Sequence, residues 1–142
     1  MLIVFVDQYL PFDKDRDFVK WHLKFPSIAV YFEKLNKFFE KVEKKYNTKV
    51  VIAIHPDSIY EGFDYFNGRE LIKGKAKELL GNADLVLGHY SNALRFAKGK
   101  RILSLTFDEL DTIGITDCVI KPRANPYGVE FINIDKEGMD AI

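Results

Sequence analysis

The sequence predicts an α/β fold, a single Rossmann-like three-layer sandwich with a mostly parallel sheet of about five strands across residues 1–142. Two observations predict it. Short apolar runs alternate along the chain with helical or loop segments, which is the pattern of crossover connections between parallel strands. The first three runs are nearly continuous in apolar residues, as is typical of strands covered on both faces. A chain of 142 residues also fits one domain.

Five apolar runs are the predicted strands. They are Leu2–Val6, Val50–Ile54, Leu85–Leu87, Ile102–Leu105 and Phe131–Ile134. Between the last two runs the sequence predicts only a turn. The order along the chain is therefore strand, helix, strand, loop, helix, strand, helix, strand, turn, strand.

The strongest predicted helix runs from Ser27 to Tyr46. Its apolar residues recur at helical spacing and form one wide stripe. Ser27 follows a proline and has the residue type of an N-cap, although no capping box forms. Two shorter helices are predicted over Ala76–Leu80 and Ser91–Ala97.

Two segments, residues 7–25 and 55–74, are longer than ordinary connections and are rich in charged and aromatic residues. Each follows the carboxyl end of a predicted strand, where open α/β sheets bind their ligands. We therefore expect the functional residues at this end of the sheet.

Composition excludes several classes of protein. Lys plus Arg and Asp plus Glu are both 21, so the net charge is zero and a general nucleic-acid-binding surface is not expected. A hydrophobic content of 47% excludes a disordered chain. Cys118 is the only cysteine and no apolar run approaches the roughly 20 residues of a membrane helix. We expect a cytoplasmic protein, free or peripheral at the inner membrane, without a transmembrane segment.

Two strand ends carry the candidate phosphate-binding residues. His55-Pro56 follows the second strand directly, with Ser58 close behind, and an imidazole can donate to a phosphate oxygen. Tyr90, Ser91 and Asn92 follow the third strand at the start of a predicted helix, whose N-terminus would favour an anion. Each feature has an ordinary structural alternative, a strand-end turn for the first and a plain helix cap for the second. For the neighbouring His89 we expect packing rather than ligand contact.

Three basic residues between these strands, Arg69, Lys73 and Lys75, are further candidates for phosphate or carboxylate contacts, with a plain surface role as the alternative. The segment from Gly68 to Ala76 fails as a nucleotide-hydrolysing P-loop because its spacing is wrong and Ala76 replaces the magnesium-binding Ser or Thr. The first strand lacks a dinucleotide-binding glycine pattern, and no histidine or cysteine spacing predicts a metal site. A receiver-type regulatory domain would need an aspartate where the chain has Gly88-His89.

Five segments lie along the chain in a fixed order: Val50–Pro56, Phe66–Glu70 with Gly74-Lys75, Ala83–Ser91, Thr106–Leu110 and Ile132–Asp135. Together they resemble the C-terminal half of bacterial surface-polysaccharide glycosyltransferases, similar to the GT-B-fold sialyltransferases and polysialyltransferases. The resemblance implies that His55 contacts the phosphate of CMP-sialic acid and assists departure of CMP. It also implies that Ser91 contacts the same phosphate and that Glu109 contacts the nucleotide.

The resemblance further implies an inverting transfer that needs neither a metal nor a cofactor. The chain departs from the family pattern in two ways, since Asn92 replaces the second Ser or Thr of its serine motif and no acidic D/E-D/E-G motif is present. That motif supplies the catalytic base from the N-terminal half in the resembling enzymes. We therefore expect a nucleotide-sugar-binding half, inactive alone and completed by a second domain, a subunit or a homodimer. The alternative is a non-catalytic α/β interaction or assembly domain that binds no nucleotide.

Overall fold

A computed structural model describes residues 1–12, 27–137, 140 and 142. Its six strands form one entirely parallel sheet in the order β3-β2-β1-β4-β5-β6. The strands are β1 (Ile3–Val6), β2 (Val50–Ile54), β3 (Leu71–Lys73), β4 (Leu85–Gly88), β5 (Arg101–Thr106) and β6 (Glu130–Asn133). The α/β prediction is confirmed, and the sheet has one strand more than expected, because β3 lies inside the predicted loop 55–74.

The long helix α1 (Ile28–Tyr46) begins where the sequence predicts. Ser27 Oγ accepts a hydrogen bond from the Val30 N–H at 3.2 Å, so the serine is the N-cap. At the other end Asn47 takes a left-handed conformation with φ 51°, which few residues other than glycine and asparagine adopt readily. Helix α2 (Ala76–Asn82) runs two residues beyond its predicted end.

The structure refines one expectation about helices and overturns another. Residues Asn92–Ala97 form a 3-10 helix rather than an α-helix, with Ser91 as its N-cap. The predicted turn between β5 and β6 is instead a run of short helical segments. These are α3 (Asp108–Ile113), a π-helical turn (Thr116–Ile120), α4 (Lys121–Ala124) and a 3-10 turn (Asn125–Tyr127). A further 3-10 turn, Leu10–Phe12, follows β1; of the predicted loop 7–25, residues 13–25 lie outside the described part of the chain.

The core has two layers, one on each face of the sheet. Ile3 and Phe5 of β1 pack toward α1, whereas Val4 and Val6 pack toward α2 and the 3-10 helix Asn92–Ala97. Strand side chains alternate between faces, so this split places helical layers on both sides. The larger layer contains a group of aromatic rings centred on Phe5, Phe39 and Phe66.

The strand order creates one position where the chain changes direction across the sheet. From β1 the chain proceeds to β2 and β3 on one side, whereas β4, β5 and β6 lie on the other side. This is the strand order of Rossmann folds, in which ligands bind outside the carboxyl ends of the strands at the switch point. Here the switch point lies between β1 and β4.

Candidate functional site

We call the side of the sheet where the parallel strands end the carboxyl edge, and the side where they begin the amino edge. The carboxyl edge carries nearly all of the residues that the sequence singled out. His55, Pro56 and Ser58 follow β2, Lys75 follows β3, Tyr90, Ser91 and Asn92 follow β4, and Glu109 follows β5. The structure thus gathers these residues at one edge, on both sides of β1.

His55 is oriented as a neutral hydrogen-bond donor. Its Nδ1 accepts the backbone N–H of Asp57 at 3.0 Å, and the side chain is 42% exposed. Because Nδ1 is an acceptor, we assign the ring proton to Nε2. The exposed Pro56 and Asp57 form the turn that holds this geometry. His55 can therefore present an N–H to an oxygen without first gaining a charge.

Several hydrogen bonds hold the residues that follow β4. The Tyr90 N–H donates to Gln8 Oε1 at 2.9 Å, which ties β4 to β1. Ser91 Oγ accepts from the Ala93 N–H at 3.2 Å, and its own proton can still be donated. Asn92 is exposed, and its Oδ1 accepts from the Tyr127 hydroxyl at 3.0 Å. The N-terminus of this short 3-10 helix attracts an anion less strongly than that of the predicted α-helix would. The Ser91 hydroxyl is therefore a stronger hydrogen-bond donor to an anion here than the helix end itself.

Asp7 follows β1 directly and lies at the centre of the carboxyl edge. It is 2% exposed, and its carboxylate accepts from the Tyr60 hydroxyl at 2.6 Å and from the Tyr9 N–H at 3.2 Å. Burial raises the pKa of this carboxyl to about 6, although the bonds from Tyr60 and Tyr9 and the nearness of His55 act in the opposite direction. Asp7 is thus a buried acid that titrates close to neutral pH.

The backbone beside Asp7 is strained. Tyr9 has φ 60°, a left-handed conformation that costs a non-glycine residue roughly 1–3 kcal/mol. Its ring meets the Tyr60 ring edge-on, with centroids 5.3 Å apart. Strain of this kind concentrates at functional sites, where the surrounding packing holds it in place. The strain at Tyr9 therefore points to a functional site at the switch point, independently of any sequence motif.

The loop after β2 contains a buried hydroxyl with no hydrogen-bond partner in the described part of the chain. Ser58 is 1% exposed, and its Oγ is unpaired there. The Ser58 carbonyl accepts from Lys73 Nζ at 3.0 Å, which joins the loop to the end of β3. Lys75 is exposed two residues later, at the start of α2. This side of the edge therefore holds an unused hydroxyl and two lysines.

His89 is part of the core. It is 0% exposed, with Nε2 2.9 Å from the Tyr31 hydroxyl and Nδ1 2.8 Å from the Leu105 carbonyl. A carbonyl only accepts, so the proton lies on Nδ1 and the Tyr31 hydroxyl donates to Nε2. Burial lowers the His89 pKa to about 4. The histidine is therefore neutral and connects β4, β5 and α1, as its expected packing role requires.

Arg69 does not lie with the other candidate phosphate-binding residues at the carboxyl edge. It precedes β3 at the amino edge, where its guanidinium donates to both carboxylate oxygens of Glu43 at 3.0 and 2.8 Å and to Asn36 Oδ1 at 2.8 Å. Its side chain is only 6% exposed. Arg69 lies across the sheet from His55 and Ser91, so a phosphate contact shared with them does not fit this geometry.

Glu109 is at the carboxyl edge but one strand away from the switch point. Its carboxylate forms an ion pair with Lys34 of α1, which also pairs with Asp135 at 2.6 Å. The two ion pairs of Lys34 thus connect α1 to the segments that follow β5 and β6. A ligand would have to share Glu109 with this pair.

Sequence reasoning passed over Asp7, Gln8, Tyr9 and Tyr60. The signal for the first two was available, because they follow the first predicted strand in the same way that His55 follows the second. Tyr60 could not be predicted from the sequence in this way, because its contact with Asp7 joins residues 53 positions apart.

No family model matches the chain, and no curated protein or solved structure shows significant similarity to it. Within the described residues, helices long and apolar enough to cross a membrane are not found. Clusters of three or more potential metal ligands are likewise not found there.

Proposed function

We propose that this chain is the nucleotide-sugar-binding half of a GT-B glycosyltransferase of bacterial surface polysaccharide synthesis, with a CMP-sugar as its ligand. One observation carries the proposal. The strands that end at His55 and Ser91 flank β1, at the switch point where Rossmann-type sheets bind nucleotides. The resemblance of the His-Pro and serine motifs to those of sialyltransferases supports CMP over other nucleotides.

In this proposal the phosphate is held by neutral donors. His55 donates from Nε2 to a phosphate oxygen, and the Ser91 hydroxyl donates to the same group. As the bond between the anomeric carbon and the phosphate oxygen breaks, these donors stabilise the charge that develops on CMP. The acceptor and its general base come from a second domain or subunit, so the isolated chain binds the nucleotide sugar without transferring the sugar.

The test is a nucleotide panel. We expect CMP to raise the melting temperature of the protein more than UMP, GMP or AMP. In calorimetry, His55→Ala and Ser91→Ala should each weaken CMP binding by roughly tenfold or more, because each loses a hydrogen bond to a charged group. The matched control is Thr48→Ala, which removes a hydroxyl between α1 and β2 at the amino edge. No response to any nucleotide, or unchanged binding by His55→Ala, would contradict the proposal.

A second function, assembly without nucleotide binding, is favoured by one observation. Ile59 and Phe63, on the loop after β2, are 70% and 60% exposed. Large apolar side chains exposed near a predicted site are typical of surfaces that another protein covers. Under this alternative, sedimentation would show self-association that Ile59→Ser with Phe63→Ser abolishes and that the control Ile28→Ser retains, and the nucleotide panel would give no shift.

A further inference from the structure

The position of Asp7 places an acid inside the proposed phosphate site. Neighbouring strands are about 4.8 Å apart, so the ends of β2 and β4 are about 10 Å apart with β1 between them. The Asp7 N–H donates to the Ala53 carbonyl of β2 at 2.9 Å, and Gln8 next to it accepts from the N–H of Tyr90, which follows β4. A ligand that contacts both His55 and Ser91 must therefore cross the end of β1 over Asp7.

Among the described residues, only His55 could supply a countercharge to Asp7. The titratable groups around it are Tyr9 after β1, Tyr31 on α1, and His55 and Tyr60 after β2. Among the described residues, no lysine or arginine forms an ion pair with it. His55, the nearest of these groups that could become positive, has Nδ1 occupied by a backbone N–H. A phosphate placed over this carboxylate would meet a second negative charge in a poorly solvated position.

We propose that binding of the phosphate group is coupled to protonation of Asp7, which makes Asp7 the residue that sets the pH range in which the ligand binds. This inference rests on the proposed function. As the anion binds, the acid form of the buffer gives up a proton, which forms an O–H bond on a carboxylate oxygen of Asp7, and the conjugate base of the buffer stays in solution. Protonation is within reach at neutral pH, because burial already holds the Asp7 pKa at about 6. A neighbouring anion raises it further.

The experiment counts the protons taken up on binding. The probe is cytidine 5′-methylphosphate, a phosphodiester with one fixed charge, because a phosphomonoester itself titrates near pH 6. Calorimetry at pH 7 in two buffers of different ionisation enthalpy should give uptake of close to one proton per ligand by the wild-type protein. By linkage, the affinity should fall by up to roughly tenfold between pH 7 and pH 8. Asp7→Asn should abolish both effects, because the amide still accepts from Tyr60 but cannot titrate.

Asp117→Asn is the control, because it removes a 77% exposed carboxylate on the connection between β5 and β6 and should keep the uptake. Ligand binding without uptake, or equal uptake by Asp7→Asn, would overturn the inference and leave the proposed function standing. Absence of binding by any nucleotide would remove both. If Asp7→Asn does not fold, carboxyl-carbon NMR of the wild-type protein decides the matter. The titration midpoint of Asp7 should rise when the ligand is added, and an unchanged midpoint would overturn the inference.

Discussion

The two edges of the sheet use buried charge in opposite ways. At the amino edge Glu43 accepts from Arg69 and from the Val50 N–H at 2.8 Å, and Arg69 also lies 5.2 Å from the centre of the Phe39 ring. At the carboxyl edge the described donors to Asp7 are neutral, and the segments beside it carry a strained tyrosine and a serine hydroxyl with no partner among the described residues. A groove of about 400 Å³ runs along the amino edge, yet the buried charges that line it are already paired. Among the described residues, this groove therefore lies beside charges that are already paired, whereas the buried hydroxyl of Ser58, which lacks a partner there, lies at the carboxyl edge.

The largest expected effect is at the amino edge. Arg69→Met leaves Glu43 buried and unpaired, so we expect a loss of about 3–5 kcal/mol in the free energy of unfolding, measured by urea denaturation. Arg95→Met, at an exposed arginine, should change stability by less than about 0.5 kcal/mol. Nucleotide affinity of the folded Arg69→Met protein should be unchanged. If Arg69→Met bound the nucleotide more weakly but kept the stability of the wild-type protein, Arg69 would instead be a ligand contact.

The buried carboxyls of Asp7 and Glu43 should make the stability of the protein depend on pH in opposite directions. The Asp7 pKa is about 6 in the folded protein against an ordinary value of 3.8, so the folded state binds more protons between these values. The free energy of unfolding should therefore fall by roughly 2 kcal/mol as the pH rises from about 4 to about 6. Arg69 and the Val50 N–H, against the effect of burial, hold the pKa of Glu43 below its usual value. Its contribution is present above that value and is lost as the pH falls.

Urea denaturation of the wild-type protein, Asp7→Asn and Glu43→Gln at several pH values separates the two contributions. Asp7→Asn should be more stable than the wild-type protein at pH 7, by an amount that disappears toward pH 4. Glu43→Gln should be less stable than the wild-type protein at pH 7. A pH profile of Asp7→Asn that runs parallel to the wild-type profile would contradict the assignment of a raised pKa to Asp7.

The smallest expected effect distinguishes two serines at the carboxyl edge. Ser58→Ala removes a buried hydroxyl that lacks a partner among the described residues, so it should stabilise the protein by about 1 kcal/mol. Ser91→Ala removes a helix cap and should destabilise it by about 1 kcal/mol. Thermal unfolding measures both. A destabilising Ser58→Ala would mean that this hydroxyl already has a partner, and a loss of CMP affinity in that variant would add Ser58 to the ligand contacts.

Local sequence signals predict the parts of the fold that local physics determines. The run Val50–Ile54 is apolar throughout, and its strand has these bounds. Ser27 starts α1 as predicted, because one side chain caps one nearby N–H. The strand Leu71–Lys73 escapes prediction, because three residues at the edge of a sheet carry no measurable alternation. The segment between β5 and β6 escapes it too, since Gly114 and two prolines divide it into helices shorter than any periodic signal.

The candidate site divides in the same manner. The positions of His55 and Ser91 follow from strand order and could be predicted. The partners of buried charges could not, since Arg69 meets Glu43 across 26 positions and Tyr60 meets Asp7 across 53. A basic residue in a loop is equally compatible with a ligand contact and with an ion pair until its surroundings are known.

The central place of β1 has a consequence for synthesis on the ribosome. One side of β1 pairs with β4. In this pairing Ile3 lies opposite Leu85, which is 82 residues further along the chain. At about 5–20 residues per second, this partner emerges roughly 4–16 s after β1. For that time the apolar run Ile3–Val6 has an open hydrogen-bonding edge. The nascent chain thus passes through a period in which a strand that is fully buried in the finished sheet is open to chaperones and to misfolding.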